Sequence, residues 1–269
     1  MKYDPIKKSL GIVFNATPVL RIVFYRLLDL LLLRAWHIRK ELKIWAAKNQ
    51  QPLQILDAGS GFGQYSYYMS KLNPAYKITG TDIKEEQIFD CSLFFSKINK
   101  AEQVSFEYAD LTQFVQNETY NLILSVDVME HIEADTVVFD NFYKSMKPGG
   151  MLLISTPSDK GGSDVHDDHE HSFIDEHVRD GYNMDDITLK LKNAGFSKVE
   201  ARYSYGTSGS LAWKLSMKYP IIMLNASKLF FILLPFYYVL TYPFAFILNY
   251  IDVNSNHNEG TGLIVKAVK

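Results

Sequence analysis

One short segment of the chain combines the residue types that bind a nucleoside-type cofactor. It reads Ile55-Leu56-Asp57-Ala58-Gly59-Ser60-Gly61-Phe62-Gly63, an apolar strand pattern that ends in an acid and a GxGxG turn. Glycines at a strand-to-helix turn let the backbone approach a ligand, and the next helix presents free N–H groups there. The GxGxxG pattern of dinucleotide folds would need its third glycine at Gln64, and Asp57 would repel a pyrophosphate. The segment therefore predicts a loop for a cofactor that carries a cationic group.

Two further acids follow the next apolar stretches of the chain. Asp82 stands in Thr81-Asp82-Ile83, where a carboxylate can accept hydrogen bonds from both hydroxyls of a ribose. Asp110 stands in Ala109-Asp110-Leu111, where it can accept a hydrogen bond from an adenine amino group. Each acid has a simpler alternative as a helix or turn cap, and for Asp110 the cap of Thr112 is the stronger rival. Their order along the chain favours the cofactor interpretation.

These motifs resemble those of a known enzyme family. LDAGSGFG, TDI, ADL, SVDVMEHI and KPGGMLLISTP resemble, in order and spacing, the motifs of class I S-adenosylmethionine (SAM)-dependent methyltransferases, especially small-molecule enzymes related to quinone biosynthesis. The resemblance covers about residues 53 to 200 and resumes at the last strand. It implies SAM as cofactor and an α/β, Rossmann-like fold. That fold has a seven-stranded, mostly parallel sheet whose last strand is antiparallel, and N-terminal helices precede it.

The resemblance also implies which residues of this chain lie near the cofactor. Carried over one by one, these are Asp57, Gly59, Gly61, Gly63, Asp82, Ile83, Asp110 and Asp127. The chain departs from DNA and protein-amide N-methyltransferases, whose fourth strand ends in Asn/Asp-Pro-Pro-Tyr/Phe, because it has Ser125-Val126-Asp127-Val128 at that point. Amino-group methylation of that kind is therefore disfavoured, and transfer to oxygen or carbon is expected.

Methyl transfer to an oxygen acid needs a group that removes a proton, and histidine titrates nearest to neutral pH. His131 follows the fourth predicted strand, and His177 precedes the helix before the sixth, so both are candidate bases. For His131, helix capping is an equal alternative. The stretch from His166 to His171 is dense in His, Asp and Glu, yet its spacing enforces no metal geometry. We expect a polar lid over the substrate mouth there rather than a metal site.

Short apolar runs alternate with helical patterns from Leu53 onward, which is typical of a parallel sheet with crossover helices. The predicted strands are Leu53–Leu56, Lys77–Thr81, Val104–Tyr108, Asn121–Val126, Met151–Thr156, Lys198–Tyr205 and Gly262–Val268. The predicted helices are Gln64–Lys71, Glu85–Lys97, Ala134–Met146 and Met184–Ala194. Apolar residues at helical spacing between Pro18 and Lys48 predict one long helix or two before the first strand. Pro148-Gly149-Gly150 is predicted as a turn into the fifth strand.

A hydrophobic insert interrupts this alternation of strands and helices before the last strand. Leu229 to Ile251 holds 23 residues with no charge and nine aromatic side chains, together with Pro235 and Pro243. Strands six and seven are expected to pair, so the insert must return to the side from which it left. Each proline would cost about 3 kcal/mol inside a helix, which favours a broken, re-entrant or surface-lying hairpin. We therefore expect a SAM-binding domain at 51–206 and 260–269, preceded by basic amphipathic helices at 1–50 and interrupted by a helical insert at 207–259.

Composition and charge restrict the partners. The net charge of −2 and the pI near 6.4 provide no field that would attract nucleic acid. Cys91 is the only cysteine and no signal-peptide pattern opens the chain, so a cytoplasmic location is expected. Residues 1–48 carry ten Lys and Arg against three acids, which favours an acidic neighbour such as an anionic membrane leaflet. Headgroup contacts are expected from Arg21, Arg26, Arg34, Arg39, Lys40 and Lys43; the alternative role for this segment is to cover the cofactor pocket.

Three functions remain open from the sequence. The leading hypothesis is a peripheral, monotopic membrane methyltransferase that transfers a methyl group to oxygen or carbon of a lipophilic small molecule. The second is a soluble small-molecule methyltransferase whose insert forms a lid or a homodimer contact. The third is a SAM-binding membrane scaffold without turnover. The sequence does not name the methyl acceptor.

Overall fold

A computed structural model of the protein describes residues 17–161, 178–227 and 229–269. Its centre is one seven-stranded sheet in the order β3-β2-β1-β4-β5-β7-β6. The strands are β1 (Gln54–Ala58), β2 (Lys77–Asp82), β3 (Val104–Tyr108), β4 (Tyr120–Val126), β5 (Met146–Pro157), β6 (Lys198–Ser204) and β7 (Gly262–Val268). The first five are parallel, while β7 runs antiparallel between β5 and β6. The predicted fold class is confirmed.

The helices of the described residues flank this sheet or extend from it. They are α1 (Pro18–Leu31), α2 (Leu33–Lys48), α3 (Gln64–Leu72), α4 (Glu85–Lys97), α5 (Asp135–Ser145), α6 (Met184–Asn193), α7 (Thr207–Trp213), α8 (Tyr219–Ala226) and α9 (Phe230–Asn254). The N-terminal segment forms two helices, because Leu32 adopts an extended conformation between α1 and α2. The helices predicted after β1, β2, β4 and β5 are present within one or two residues at each end.

Adjacent residues of the central strands pack on opposite faces of the sheet, because side chains alternate along a strand. Ile55 belongs to a core built with α2, α3 and α4, and Leu56 belongs to a core built with α5 and α6. Both side chains are fully buried. The near-continuous apolar runs of β1 and β4 follow from this burial on both faces.

The predicted turn before the fifth strand lies inside the bounds of β5. Tyr120 pairs with Met146 and Leu122 already pairs with Met151, so the register shifts across the intervening residues. Gly149 sits in this bulge with φ 76°, a conformation that favours glycine. The prediction of a turn was right about the backbone bend and wrong about where the strand begins.

The insert between β6 and β7 is a helical hairpin. α7 leads through a π-helical turn at Lys214–Lys218 into α8, and α9 returns along α7 to the sheet. The hydroxyls of Tyr237 and Tyr238 donate to the carbonyls of Leu215 and Ser216, at 2.8 and 2.9 Å, and so join the two arms. The expected return is therefore present.

The expected break of the insert at its prolines is wrong. Pro235 and Pro243 both lie inside the continuous 25-residue α9. Each proline removes one backbone hydrogen bond, but tertiary contacts between the arms compensate for a local preference of this size. The tyrosine hydroxyls that bond to the outgoing arm are contacts of this kind.

One buried carboxylate anchors the base of the hairpin. Asp252, near the end of α9, is fully buried and accepts hydrogen bonds from the backbone N–H groups of Gly209 and Tyr205, at 3.0 and 3.2 Å. The imidazoles of His37 and His257 lie 2.9 and 3.1 Å from its oxygens. A Cβ at Gly209 would stand 2.5 Å from Oδ2 of Asp252, so only glycine allows α7 to approach this closely. Asp252 thereby joins α2, β6, α7 and α9.

The anchor continues into the sheet through His37 of α2. Nδ1 of His37 lies 3.1 Å from Nη1 of Arg202 on β6 and accepts a hydrogen bond from this guanidinium, which can only donate. Nε2 therefore carries the imidazole hydrogen and donates a hydrogen bond to Asp252. Burial, together with the charge of Arg202, lowers the pKa of His37. Burial acts to raise the pKa of Asp252, but the hydrogen bond from His37 and the electrostatic interaction with the two imidazoles hold it below its usual value. The network is therefore a neutral imidazole between a carboxylate and a guanidinium.

Replacing Asp252 should detach the hairpin from the sheet. We expect Asp252→Ala to lower the free energy of unfolding by about 3 to 5 kcal/mol, because it leaves several buried donors without their acceptor. Asn254→Ala is the matched control, since Asn254 is exposed on the same helix. Thermal unfolding in mild detergent measures the effect, and proteolysis between β6 and β7 should accelerate in Asp252→Ala alone. Equal melting of both variants would contradict the anchor.

Candidate active site

The predicted cofactor loop lies between the end of β1 and the start of α3. Gly59, Gly61 and Gly63 have φ values of 76°, 50° and 74°, so each adopts the left-handed conformation that favours glycine. The N–H groups of Gly59 and Ser60 donate to the carbonyl of Thr81, which binds the loop to β2. A Cβ at Gly59 would overlap Val128 at 2.3 Å, whereas one at Gly61 would meet only Gln87, at 3.7 Å. The loop is thus tightly packed on one side and open at Gly61.

Asp57 is a buried carboxylate that has no cationic partner among the described residues. Its Oδ2 accepts a hydrogen bond of 2.6 Å from the hydroxyl of Ser66 on α3. Burial raises the pKa of Asp57 to about 6, and the nearby Asp82 carboxylate adds to this, although the Ser66 hydroxyl opposes it. A buried acid in this state gains most from a ligand that brings its own positive charge.

Asp82 stands at the end of β2 beside the loop. Its Oδ2 accepts the N–H of Gly61 at 3.0 Å and its Oδ1 accepts the N–H of Lys84 at 2.9 Å. These bonds fix the carboxylate and leave it lone pairs for hydroxyl donors. Ile83, which follows it, keeps 61% of its side chain exposed, so an apolar surface is available beside the acid.

Asp110 has the capping role that the sequence offers as its alternative. Its Oδ1 accepts hydrogen bonds from the N–H and the hydroxyl of Thr112, at 2.9 and 2.8 Å. It lies beyond β3, next to Asp82 through the bond from Ala109 N–H to the carbonyl of Asp82. A capping acid still has a second oxygen, so adenine contact at Asp110 stays a prediction.

α1 covers the cofactor loop and uses two residues to hold it. Arg21 is buried and donates to the carbonyl of Phe62 at 2.9 Å and to that of Asp90 at 3.0 Å. The hydroxyl of Tyr25 donates to the same Phe62 carbonyl. The expectation that Arg21 faces lipid headgroups is therefore wrong, because its guanidinium is buried against backbone carbonyls of the loop and of α4.

Three other basic residues of the N-terminal helices also form contacts within the protein, and one of them is Arg39, whose Nη1 lies 3.0 Å from Oδ2 of Asp29. Arg34 forms an ion pair with Asp127, and Nζ of Lys40 donates to the carbonyl of Val253 at 2.8 Å. Their side chains stay partly exposed, so their headgroup role stays a prediction. Arg26 and Lys43 are exposed. The N-terminal helices cover the cofactor loop, as the alternative for this segment predicts.

Asp127 and Arg34 form part of a polar cluster at the end of β4. Asp127 adopts φ 52°, and the backbone N–H of Arg34 donates to the hydroxyl of Tyr205, at 3.0 Å. Burial raises the pKa of the Tyr205 hydroxyl to about 12, so it stays protonated at neutral pH. The sequence indicated Asp127 but missed Arg34 and Tyr205, which lie 171 positions apart and meet only in the folded chain.

Glu130 is a third residue at this edge that the sequence did not single out. It is buried beside Asp127, and the hydroxyl of Thr156 donates to its Oε2 at 3.1 Å. Burial and the negative charge of Asp127 raise the pKa of Glu130 to about 8. A hint was present in the sequence, because Glu130 stands in SVDVMEHI directly after the fourth strand.

Of the two candidate histidines, the structure describes His131 only. His131 ends the short 3-10 helix Met129–His131 after β4 and is half-buried at the same edge of the sheet. His177 and the stretch from His166 to His171 lie outside the described residues, so their roles stay predictions. Within 17–161, 178–227 and 229–269, no group of three His, Cys, Asp or Glu side chains is placed to hold a metal ion.

The binding groups at this edge of the sheet fit SAM. Asp57 offers an unpaired buried carboxylate for an ammonium group, Asp82 offers oriented oxygens for ribose hydroxyls, and the backbone at Gly61 is open to close approach. All of these lie at the carboxyl ends of β1 and β2, where open α/β sheets bind their ligands. The residues present would therefore hold the cofactor by charge and by paired hydrogen bonds.

Binding of SAM should depend on the ionisation of Asp57. Because the pKa of Asp57 is raised to about 6, its carboxylate is available above that pH, and affinity should fall about tenfold per pH unit below it. We expect Asp57→Asn to bind about ten- to a hundredfold more weakly at pH 7.5 and to lose this pH dependence. Asp82→Ala should weaken binding to a similar degree by removing the ribose acceptors.

Isothermal titration calorimetry between pH 5 and 8 measures both effects. Asp140→Asn is the control, since Asp140 is an exposed acid on α5, away from the loop. An Asp57→Asn variant with the affinity and pH profile of the parent would remove Asp57 from the cofactor site. An Asp82→Ala variant with parental affinity would do the same for Asp82.

Comparison with known proteins agrees with this geometry. Residues 21–201, more than half of the chain, match the family of methyltransferase domains. A phosphoethanolamine N-methyltransferase from Triticum aestivum is 30% identical over 149 residues, which are 55% of this chain and 28% of the relative. A ubiquinone biosynthesis O-methyltransferase from Rhizobium leguminosarum bv. trifolii is 27% identical over 114 residues, 41% of this chain and 43% of the relative. The chain spans less than half the length of either relative.

Solved structures share the fold. Phosphoethanolamine N-methyltransferase 2 of Haemonchus contortus, in complex with phosphomonomethylethanolamine and S-adenosylhomocysteine, superposes with a TM-score of 0.63 at 19% identity. The superposition covers 87% of this chain and 52% of the other. At this identity the likeness concerns the fold alone. The matched family, the glycine loop and the sheet order confirm that the chain belongs to the class I SAM-dependent methyltransferases, with SAM as its cofactor.

Proposed function

We propose that the protein transfers a methyl group from SAM to oxygen or carbon of a lipophilic small molecule at a membrane surface. The observation that carries the proposal is the hairpin of α7, α8 and α9, an exposed apolar element that starts at the sheet edge that carries the cofactor loop. The proposal includes a cytoplasmic, peripheral location, with the hairpin as a monotopic anchor.

Topology brings the hairpin to the cofactor. β6 ends and β7 begins at the edge of the sheet where β1, β2 and β4 end, because β7 is antiparallel to both of its neighbours. The hairpin leaves and returns at this edge. Its base contacts Arg34 through Tyr205, and Arg34 pairs with Asp127. An acceptor that moved along the hairpin would therefore reach the sheet edge that carries the cofactor loop.

The surface of α9 is apolar and open. Among the described residues it is the one helix that is long and apolar enough to cross a membrane, with a mean hydropathy of 1.9 over an 18-residue stretch and 6% of that stretch buried. Val239 and Leu240 expose 74% and 71% of their surface. Exposed apolar patches larger than a few hundred Å² are rare on soluble monomers and mark interaction or membrane surfaces. Both ends of the hairpin lie at one sheet edge, which favours insertion from one side over crossing.

The residues of the site have distinct tasks in this proposal. Bound SAM supplies a methyl group that is already activated by its sulfonium. Asp57 and Asp82 hold the cofactor, and the protein must then orient the acceptor and remove its proton. His131 and Glu130 are adjacent candidates for that base. Because the pKa of Glu130 is about 8, a reaction that depends on its carboxylate would speed up as the pH rises through about 8.

A second acceptor class is favoured by the relatives. Phosphoethanolamine N-methyltransferases from plants are 30–33% identical to this chain over alignments that cover more than half of it. A small amine, or an amine carried on a lipid headgroup, is therefore the alternative acceptor. The departure from DNA and protein-amide enzymes at Ser125 to Val128 does not bear on small amines.

Incubation with labelled SAM and a total lipid extract of the host should place the label in a lipid-soluble product. Mass analysis of that product distinguishes O-, C- and N-methylation. We expect His131→Ala to lose most turnover while SAM binding survives. If His131→Ala stays active and Glu130→Gln does not, proton removal belongs to Glu130. Label found only in water-soluble acceptors would contradict the lipophilic substrate, and SAM binding with no acceptor at all would favour a scaffold.

The hairpin should hold the protein on membranes by apolar burial. We expect the protein to sediment with phospholipid vesicles and to be released by detergent but not by salt, because ions do not screen apolar burial. Val239→Asp/Leu240→Asp should abolish sedimentation, since both side chains are exposed and their replacement leaves the core intact. The control is Val137→Asp/Leu189→Asp, which adds the same charges at exposed apolar positions on α5 and α6.

Two outcomes would contradict this anchoring. If the wild-type protein stays soluble without detergent as a homodimer, the hairpin is a subunit contact. If tags at Ser208 and Asn256 differ in accessibility in sealed vesicles, the insert crosses the membrane. The proposal requires both tags to have the same accessibility.

A further inference from the structure

A cavity lies between α1, α2 and α3, outside the cofactor site. It has a volume of about 320 Å³. We call it the basic groove, because it is lined by Arg26, Arg39 and Lys71 and walled by Tyr25, Tyr67 and Tyr68. None of these six side chains belongs to the cofactor donors described above.

The charges of the basic groove favour an anion. Asp29 is its one acidic lining residue, and it is already paired with Arg39 at 3.0 Å and bonded to Gln64 at 2.9 Å. Arg26 and Lys71 are exposed, and neither forms an ion pair with another residue of the described ranges. Three cations and one acid therefore leave an excess of two positive charges at the groove.

Aromatic walls orient two of these cations. The guanidinium carbon of Arg39 lies 4.5 Å from the ring centre of Tyr68, and Nζ of Lys71 lies 4.3 Å from that of Tyr67. Contacts at these distances stabilise a cation over a ring and limit its freedom. The tyrosines thus hold the charges at the walls, and the cavity between them stays open for a ligand.

The basic groove lies beside exposed apolar surface. Val23, Leu27 and Leu30 of α1 are exposed and recur at helical spacing around Arg26, and Leu30 also lines the groove. The carbonyl of Leu30 accepts a hydrogen bond of 3.0 Å from the hydroxyl of Tyr242 on α9. The groove therefore adjoins the hairpin and places positive charge beside exposed apolar surface.

We propose that the basic groove binds the phosphate of an anionic phospholipid headgroup, with the acyl chains of that lipid lying along α1 and α9. The inference rests on the membrane anchoring proposed above and adds lipid selectivity to it. Apolar burial of the hairpin holds the protein at the bilayer, and the basic groove sets which leaflet or lipid domain it prefers. A phosphate between Arg26 and Lys71 would gain charge-assisted bonds from both.

Vesicle flotation of the full-length protein tests this selectivity at constant salt. Phosphatidylcholine vesicles are compared with vesicles in which phosphatidylglycerol replaces about a third of the lipid, a mixture that carries a negative surface potential. We expect the wild-type protein to prefer the anionic vesicles by about tenfold or more. Arg26→Gln/Lys71→Gln should lose most of this preference and bind phosphatidylcholine as before. Unchanged melting of the double variant confirms that it is folded.

Matched controls distinguish binding in the basic groove from nonspecific attraction between the vesicles and the surface charge of the protein. Lys144→Gln/Lys192→Gln removes two exposed charges from α5 and α6, on the other face of the sheet, and should keep the preference. Lys43→Gln removes an exposed charge from α2 outside the groove and should also keep it. If either control lowers the preference as much as the groove variant does, the selectivity is diffuse electrostatics and the inference is overturned.

The remaining outcomes separate the two proposals and the two sources of phosphate. Wild-type protein that binds both vesicle types equally overturns the basic groove alone, whereas protein that binds neither overturns the membrane proposal with it. Inorganic phosphate is titrated into the detergent-solubilised protein by calorimetry. Millimolar or tighter binding that Arg26→Gln/Lys71→Gln removes would make the groove a site for soluble phosphate and overturn the lipid assignment.

Discussion

The buried carboxylate of Asp252 sets the position of everything that distinguishes this chain from a bare methyltransferase domain. It lies near the end of the long apolar helix α9, and in this fully buried position it accepts hydrogen bonds from donors on α2, on α7 and at the end of β6. A charge buried in this way is tolerated only when its donors are in place, so the hairpin has one arrangement at its base. The cofactor edge and the apolar hairpin are therefore held together by a network that no single element could form.

Asp57 and Asp252 show opposite solutions to the burial of a carboxylate. Asp252 is surrounded by donors, and its pKa is held below the usual value. Asp57 has one hydroxyl donor, and burial raises its pKa to about 6. The carboxylate of Asp252 has its hydrogen-bond donors within the protein. The buried carboxylate of Asp57 has an unfavourable free energy of ionisation, which a cationic ligand would reduce. The contrast supports the prediction of Asp57 as a cofactor-binding residue on grounds that are independent of its motif.

The sequence predicted what depends on neighbours along the chain and missed what depends on distant ones. The glycine loop and the strands follow from local spacing, so their residues were recognisable. The pair of Arg34 and Asp127 joins α2 to β4, and the bond of His37 to Asp252 joins positions 215 residues apart. No local pattern encodes either contact. The continuity of α9 through Pro235 and Pro243 was missed for the same reason, because contacts with the other arm decide it.

The distribution of burial along α9 bears on how the hairpin meets lipid. Its buried residues are Ala245, Asn249, Asp252 and Val253, all in the last ten positions. From Phe230 to Phe244 none is fully buried: one face is half-buried against the other arm of the hairpin, and the remaining residues are exposed. A lid folded onto the domain would bury one face along its whole length. Fifteen residues measure about 22 Å at 1.5 Å each, which is less than a bilayer core of about 30 Å. This length falls short of a full crossing, which favours insertion of the tip from the side of the catalytic edge.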